Sequence, residues 1–315
     1  MDQRESRRME MNFSGLYEMQ GMLFLLIMAG MVLKRKGIIT GAGKSMLADL
    51  VIYVTLPCST LKSFEMEFGP EILKTMGAAF GISCLIQAAC YGMNHFLYRG
   101  VEERKKKVLL YATMTSNAGI LGNSIAEGIF GAAGLFYASI YLIPQRTVMW
   151  SLGMTYFTEA PDKLTLAKKV MTHPCILAVF AGFILMAGQI SLPGVIDAAV
   201  GSLGNANTAV SMLFIGAVLG DARGKGMVTK TTCCYSLVRL ILIPALVFAG
   251  CALAGTDAVV MGVCVVLSGM PAASVTAILA SKYGGDEQFA TSCVVFSTLL
   301  SMLTVPLWCM ALSLV

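Results

Sequence analysis

Two hydrophobic segments, one in each half of the chain, are interrupted where a membrane helix should be continuous. The first runs Tyr111-Ala-Thr-Met-Thr-Ser-Asn117-Ala-Gly119-Ile-Leu-Gly122-Asn123-Ser124, and the second Val263-Cys-Val-Val-Leu-Ser268-Gly269-Met270-Pro271-Ala-Ala-Ser274. Each is apolar on both sides and holds helix-unfriendly residues at its centre. Irregular backbone inside hydrocarbon leaves N–H and C=O groups without water, and it persists only where it lines a cavity or is buried in protein. Matching breaks in two halves of one chain point to the substrate site of a transporter.

Composition agrees with a membrane setting. The chain is 57% hydrophobic and 13% charged, against about 25% charged in a soluble domain. Ten apolar spans are predicted, over 15–34, 45–62, 74–98, 107–131, 133–158, 168–190, 194–219, 227–254, 257–283 and 287–313. Several are long enough to cross about 30 Å of hydrocarbon with tilt. None has the alternation of a barrel strand. The segment 1–12 is short and polar, with charges too mixed for a targeting peptide. Nearly all the cysteines fall inside apolar spans without a C-x-x-C pair, and the two histidines, His95 and His173, lie near span ends. A metal or disulfide framework is not expected, and no cofactor is implied.

Loop charges give an orientation. Lys34, Arg35, Lys36, Lys44, Arg99, Arg104–Lys107, Lys163, Lys168, Lys169, Arg223, Lys225, Lys230 and Lys282 follow odd-numbered spans. Only Arg4, Arg7, Arg8, Lys62 and Lys74 fall on the other side. The positive-inside rule places the first set in the cytoplasm and both termini outside the cytoplasmic (inner) membrane. The same alternation argues against nucleic acid as the partner of a chain with net charge +5. Five spans per half is an odd number, so the second half must enter the membrane inverted. The expected division is 1–158 for the first repeat, 159–167 for a short cytoplasmic connection and 168–315 for the second repeat.

At these residues the chain resembles the auxin efflux carrier family of membrane transporters, in its compact prokaryotic form. The motifs are Leu56-Pro57, Asn117-Ala-Gly119-Ile-Leu-Gly122, Trp150-Ser-Leu-Gly153, Arg239-Leu-Ile-Leu-Ile-Pro244, Met270-Pro271-Ala-Ala, Ala280-Ser-Lys-Tyr-Gly-Gly-Asp286, Ser297-Thr-Leu-Leu-Ser301 and Pro306-Leu-Trp308. Their order and spacing carry the likeness more than any one of them. The resemblance implies an all-α polytopic membrane protein: ten transmembrane helices in two inverted five-helix repeats, with helices four and nine broken where they cross. That architecture is of the bile-acid-symporter and NhaA kind. It also implies carriage of organic anions, such as auxin in plants and dicarboxylates in some bacteria. Two positions depart from the family: Ser124 stands where a proline is usual, and Gln145-Arg146 where paired asparagines are frequent.

A helix broken at mid-membrane exposes half-helix ends. The halves expected to begin near Ser124 and Ser274 would each present unpaired N–H groups and about half a positive charge. Spans four and nine run in opposite directions, so two N-termini approach one site and favour a carboxylate. The opposing C-termini near Ser116 and Ser268 offer carbonyls that suit Na+, which keeps a cation site open. Candidate substrate contacts are Asn117, Gly119, Asn123, Ser124, Gln145 and Arg146 in the first half, and Met270, Pro271, Ser274 and Thr298 in the second. Asn117 can donate, accept and tolerate unwound backbone, or can simply tie loose backbone together. Glycines at the breaks serve close packing as readily as substrate contact. Arg146 suits a carboxylate, with a fixed pair to Glu127 or snorkelling as alternatives. Ser124-Ile-Ala-Glu127 fits a capping box, and Glu127 is also the candidate proton-coupling carboxylate. For Arg239, with Gln87 at roughly the matching place in span three, a network between scaffold helices and a functional role stand as equal alternatives.

The sequence therefore predicts a non-enzymatic secondary transporter of a small organic anion acting by alternating access in a lipid bilayer. H+ and Na+ are the candidate coupling ions, and a homodimer is the candidate assembly. No G-x-x-x-x-G-K-[ST] motif occurs. A Na+-coupled symporter of bile-acid type is the nearest alternative. A non-transporting membrane sensor is the alternative of another class.

Overall fold

The computed structural model describes residues 13–65, 69–157, 168, 171–172, 174–220, 227–273 and 275–314. Among them there is no β-strand, only helices and an isolated backbone bridge. In chain order the helices are α1 (Phe13–Arg35), α2 (Gly41–Leu50), α3 (Leu56–Ser63), α4 (Pro70–Asn94), α5 (Glu103–Met114), α6 (Asn123–Trp150), α7 (Leu152–Thr155), α8 (Pro174–Gly188), α9 (Gly194–Asn205), α10 (Asn207–Gly220), α11 (Lys230–Leu237), α12 (Ile243–Leu253), α13 (Ala258–Ser268), α14 (Val275–Lys282) and α15 (Glu287–Leu312). Wider π-turns, Val51–Thr55 and Val238–Leu242, join α2 to α3 and α11 to α12.

Those wide turns have a cause in sequence. Each ends two residues before a proline, Pro57 or Pro244, which has no N–H for the carbonyl one turn back. At the second, Trp308 Nε1 donates to the Leu240 carbonyl at 2.9 Å, four residues before Pro244. Gly131 ends the first part of α6 with φ 64° and ψ −152°, a conformation essentially confined to glycine. The helical hydrogen bonding is broken there by a kink, so α6 consists of two helices joined at Gly131. Caps are chemical where loops end: Thr40 accepts from Gly43 N–H, Thr229 and Thr232 bond reciprocally, and Asp257 and Asp286 accept from the first-turn N–H groups of α13 and α15.

Among the described residues, five stretches are long and apolar enough to cross a membrane: Pro70–Asn94, Ala118–Thr155, Gly194–Gly220, Lys230–Leu253 and Glu287–Leu312. Side-chain placement is inverted relative to a water-soluble protein. Leu25, Leu85 and Leu303 are 68%, 71% and 67% exposed, while Gln145, Arg146, Asn207 and Arg239 are buried. Large apolar groups outside and polar groups inside suit a hydrocarbon solvent. The chain is thus an all-α, multi-pass membrane protein.

Packing sorts the helices into two groups. In one, α10 lies along α1 and against α2, while α3 packs on α8 and α9. A Cβ on Gly216 would strike the Ile27 carbonyl and Gly30, so these glycines let the α1 and α10 backbones touch. In the other, α6 packs on α4 and α13, and α15 packs on α5, α11, α13 and α14. The fifth and tenth predicted spans therefore pack with the broken helices.

Candidate functional site

The two interrupted segments meet. Thr115 leaves α5 in extended conformation, and Ser116 forms an antiparallel bridge with Ala272. Asn117 N–H donates to the Pro271 carbonyl at 2.8 Å. Pro271 and Ala272 lie between α13 and α14. Each break therefore satisfies part of the backbone of the other, which meets the demand that buried peptide groups be paired. Gly122 permits the approach, because a Cβ there would sit 3.1 Å from Met270 Cγ. Gly269 faces the Pro244 ring, 3.4 Å from a Cβ built upon it.

Three side chains from neighbouring helices hold the crossing. Arg239 Nε donates to the Met270 carbonyl at 3.0 Å, and its Nη1 donates to the Thr113 carbonyl at 2.9 Å. One buried guanidinium thus grips the C-terminal ends of both first half-helices, where a cation is favoured by the helix dipoles. Gln145 Nε2 donates to the carbonyl and hydroxyl of Ser116 at 3.0 and 3.1 Å. Ser297 Oγ accepts from Ala272 N–H at 3.1 Å. Arg239 thus has structural partners on both breaks, and its position within an apolar span was the sequence signal that pointed to it.

The start of the second half-helix of the first break differs from expectation. It does not begin near Ser124. Asn117 is the last non-helical residue, a π-turn Ala118–Gly122 follows, and it runs directly into α6. Leu121 and Gly122 N–H groups both bond Asn117 O, so the unsatisfied donors belong to Ala118, Gly119 and Ile120. The expected capping box is absent: Ser124 Oγ donates to the Ile120 carbonyl at 3.1 Å. The π-turn carries the helix start upstream and leaves Ser124 inside the helix, where its hydroxyl bonds back one turn.

Arg146 lies against this helix start. A Cβ on Gly119 would be 3.6 Å from its Nη2. The side chain is buried, and among the described residues it forms no ion pair or hydrogen bond. The alternative pair with Glu127 is not formed, because Glu127 Oε1 accepts from Ser59 Oγ at 2.9 Å on another helix. Asn117 Nδ2, Asn123 Oδ1 and Gln145 Oε1 are buried without hydrogen-bond partners. Met270 and Pro271 form the second break itself. Thr298 is buried but bonds back to the Val294 carbonyl at 2.7 Å, one turn along its own helix. Ser274 lies outside the described residues. The crossing thus unites Asn117, Gly119, Gln145, Arg146, Met270 and Pro271, with Asn123 and Ser124 a turn deeper along α6.

Away from the crossing, a cleft of about 450 Å³ opens beside Glu65, Gln189 and Asp197. Lys62 Nζ donates to Asp197 Oδ1 at 2.8 Å and also pairs with Glu65 at its edge. An apolar groove of about 260 Å³ runs between α4 and α12. No group of three or more His, Cys, Asp or Glu side chains that could hold a metal ion occurs among the described residues.

Relatives place this geometry in a family. The chain matches the profile described as "Membrane transport protein" over residues 19–172 and 163–309. It is 26% identical to an "Uncharacterized transporter" of Methanothermobacter thermautotrophicus, over 96% of this chain and 100% of that protein. A second "Uncharacterized transporter", from Methanocaldococcus jannaschii, is 25% identical over 91% of this chain and 95% of its own length. A "Putative malonate transporter" of Rhizobium meliloti is 23% identical over 90% of this chain and 91% of its own. The protein therefore belongs to the membrane transport protein family, that of the auxin efflux carriers, and is a membrane transporter and not an enzyme.

Proposed function

We propose that the protein is a secondary transporter of a small carboxylate, working by alternating access across the cytoplasmic membrane. The observation that carries this reading is Arg146: a buried guanidinium, without a partner among the described residues, beside the free N–H groups of a broken helix. A carboxylate supplies what both lack, a planar acceptor for the guanidinium fork and negative charge at a helix start. Asn117 and Gln145, each with a free buried amide atom, are proposed to orient it. Met270 and Pro271 are proposed to close it from the second break, with Ser274 and Thr298 completing that side.

The reading takes the helices as ten crossings in two inverted repeats, 1–158 and 168–315, with both termini outside. The helix group containing α1, α3, α8 and α10 would move against the group containing the breaks. The relative named for malonate supports a dicarboxylate. Na+ at the crossing finds less support, because carbonyls that would coordinate it accept from Arg239 and Gln145.

The test is purified protein in liposomes, offered labelled mono- and dicarboxylates with and without Na+ and pH gradients. Saturable carboxylate uptake is expected, with competition favouring small dicarboxylates. Absence of flux for every carboxylate under every gradient would defeat the proposal.

A further inference from the structure

The two helix groups meet along a seam where α3 and α10 face α6, and that seam holds a buried polar cluster distinct from the crossing. Ser59 of α3 donates to Glu127 Oε1 at 2.9 Å. Asn207, the first residue of α10, lies beside the same carboxylate. Asn207 Oδ1 accepts from Thr55 Oγ1 at 3.2 Å. Glu127 Oε2, Asn207 Nδ2 and Ser211 Oγ are buried without hydrogen-bond partners. Asn207 and Ser211 are fully buried.

Among the described residues no cation pairs with the Glu127 carboxylate. On α3, Lys62 is engaged by Glu65 and Asp197. Glu71 and Lys74 sit at the exposed start of α4, and Lys34 and Arg35 occupy the last turn of α1. The basic residues of α5 lie in its first turns before the break, while Arg146 lies at Gly119. Helices α8, α10 and α13 carry no charged side chain. Cys175 of α8 turns its thiol to the Ile52 carbonyl, and Tyr137 of α6 bonds Thr75. A bare carboxylate here would have one hydroxyl donor, one orphan oxygen and no counter-charge, an arrangement that suits the neutral acid.

We infer that Ser59, Glu127 and Asn207 form a proton-binding site, separate from the anion site, whose occupancy depends on how the two helix groups sit against each other. The inference rests on the carboxylate-transport reading. A proton on Glu127 Oε2 removes the buried charge while the groups are closed. Relative movement of the groups withdraws Ser59 and Asn207, admits water to the carboxylate, and releases that proton to the side then open. One proton thereby accompanies the anion and cancels part of its charge. Na+ fits the cluster less well: the Ser59 hydroxyl points its hydrogen at the carboxylate and the Asn207 oxygen is engaged by Thr55, whereas Na+ needs a cage of free oxygen lone pairs.

The experiment uses the full chain in liposomes with labelled malonate as the probe. Uptake is measured under an inwardly directed proton gradient without Na+, and exchange at symmetrical pH, with a trapped pH dye reporting proton entry. The wild type should accelerate uptake and carry protons under the gradient. Glu127→Gln should retain exchange while losing both responses. Ser59→Ala and Asn207→Ala should keep coupling but move the pH midpoint of exchange; they carry the test if Glu127→Gln does not reach the membrane. Exchange by the wild type without any gradient response overturns the proton site alone. So does a Glu127→Gln variant that keeps the response, a midpoint unmoved in both partner variants, or a Na+ requirement in place of the proton effect. No exchange of any carboxylate by the wild type removes the transport reading and this one with it.

Discussion

The two intramembrane arginines should respond oppositely to the same substitution. Arg239 donates to two backbone carbonyls at 3.0 and 2.9 Å in a buried place. Hydrogen bonds to charged groups are worth about 1.5–3 kcal/mol each, and the carbonyls left behind have no water to turn to. Arg239→Gln should therefore destabilise the fold by about 3–6 kcal/mol, less whatever the glutamine amide recovers. That is a large part of a typical stability of about 5–15 kcal/mol. Arg146 has no bonded partner among the described residues, so Arg146→Gln should change stability by about 1 kcal/mol or less. Its effect belongs to substrate instead. Removing one member of a buried, hydrogen-bonded charge pair costs about 2–5 kcal/mol, which at 1.4 kcal/mol per decade is about thirtyfold to several-thousandfold in affinity. The assays are thermal unfolding in detergent, monitored by a thiol-reactive dye, and malonate exchange in liposomes. If Arg146→Gln lowers the unfolding temperature as much as Arg239→Gln, Arg146 is a structural group and the assignment is wrong. If Arg239→Gln melts like the wild type, the clamp contributes nothing.

Gly119→Val places a branched side chain where the Arg146 guanidinium approaches. It should impair malonate exchange about as much as Arg146→Gln while the protein still elutes as a single folded species; wild-type exchange would refute the proximity. Gly216→Leu drives a side chain into the α1 backbone at Ile27 and Gly30, so folded protein should be lost from fluorescence-detected size exclusion, and normal recovery would show that the helices can part. The Lys62–Asp197 pair is partly exposed at 29% and 40%, so a double-mutant cycle read by thermal unfolding should give a weak coupling that fades with salt; a strong, salt-insensitive coupling would mean the pair is sealed from water.

Much of the site was legible because the membrane makes certain residues expensive. A glycine–asparagine break inside an apolar run, a proline after a glycine, and two arginines inside spans each contradict a plain hydrophobic helix. Asn117, Gly119, Gln145, Arg146, Met270 and Pro271 all come to the crossing for that reason. The helix start was misplaced because capping signals assume that a helix begins where a side chain can bond its first N–H groups. Here the Asn117 carbonyl accepts the first bonds from Leu121 and Gly122, and a π-turn takes up the space Ser124 was expected to cap. The Ser59–Glu127–Asn207 cluster was illegible because its members come from three helices. A serine or asparagine in a membrane helix signals nothing until its partner is known. One clue was available: Thr55 and Asn207 are 152 residues apart, close to the offset between the two breaks.

The solvent, the helical class and the two weak points can be read from the chain alone. These follow from local chemistry: apolar length, loop charge, and residues that cannot continue a helix. The partners of the three charges within the spans are set by the packing of distant helices. Arg239 closes on two backbone carbonyls, Arg146 is left facing a helix start, and Glu127 turns from its own helix to Ser59 across the seam. A buried charge takes its meaning from whatever meets it within hydrogen-bond distance, and the chain brings those atoms together only when distant helices pack.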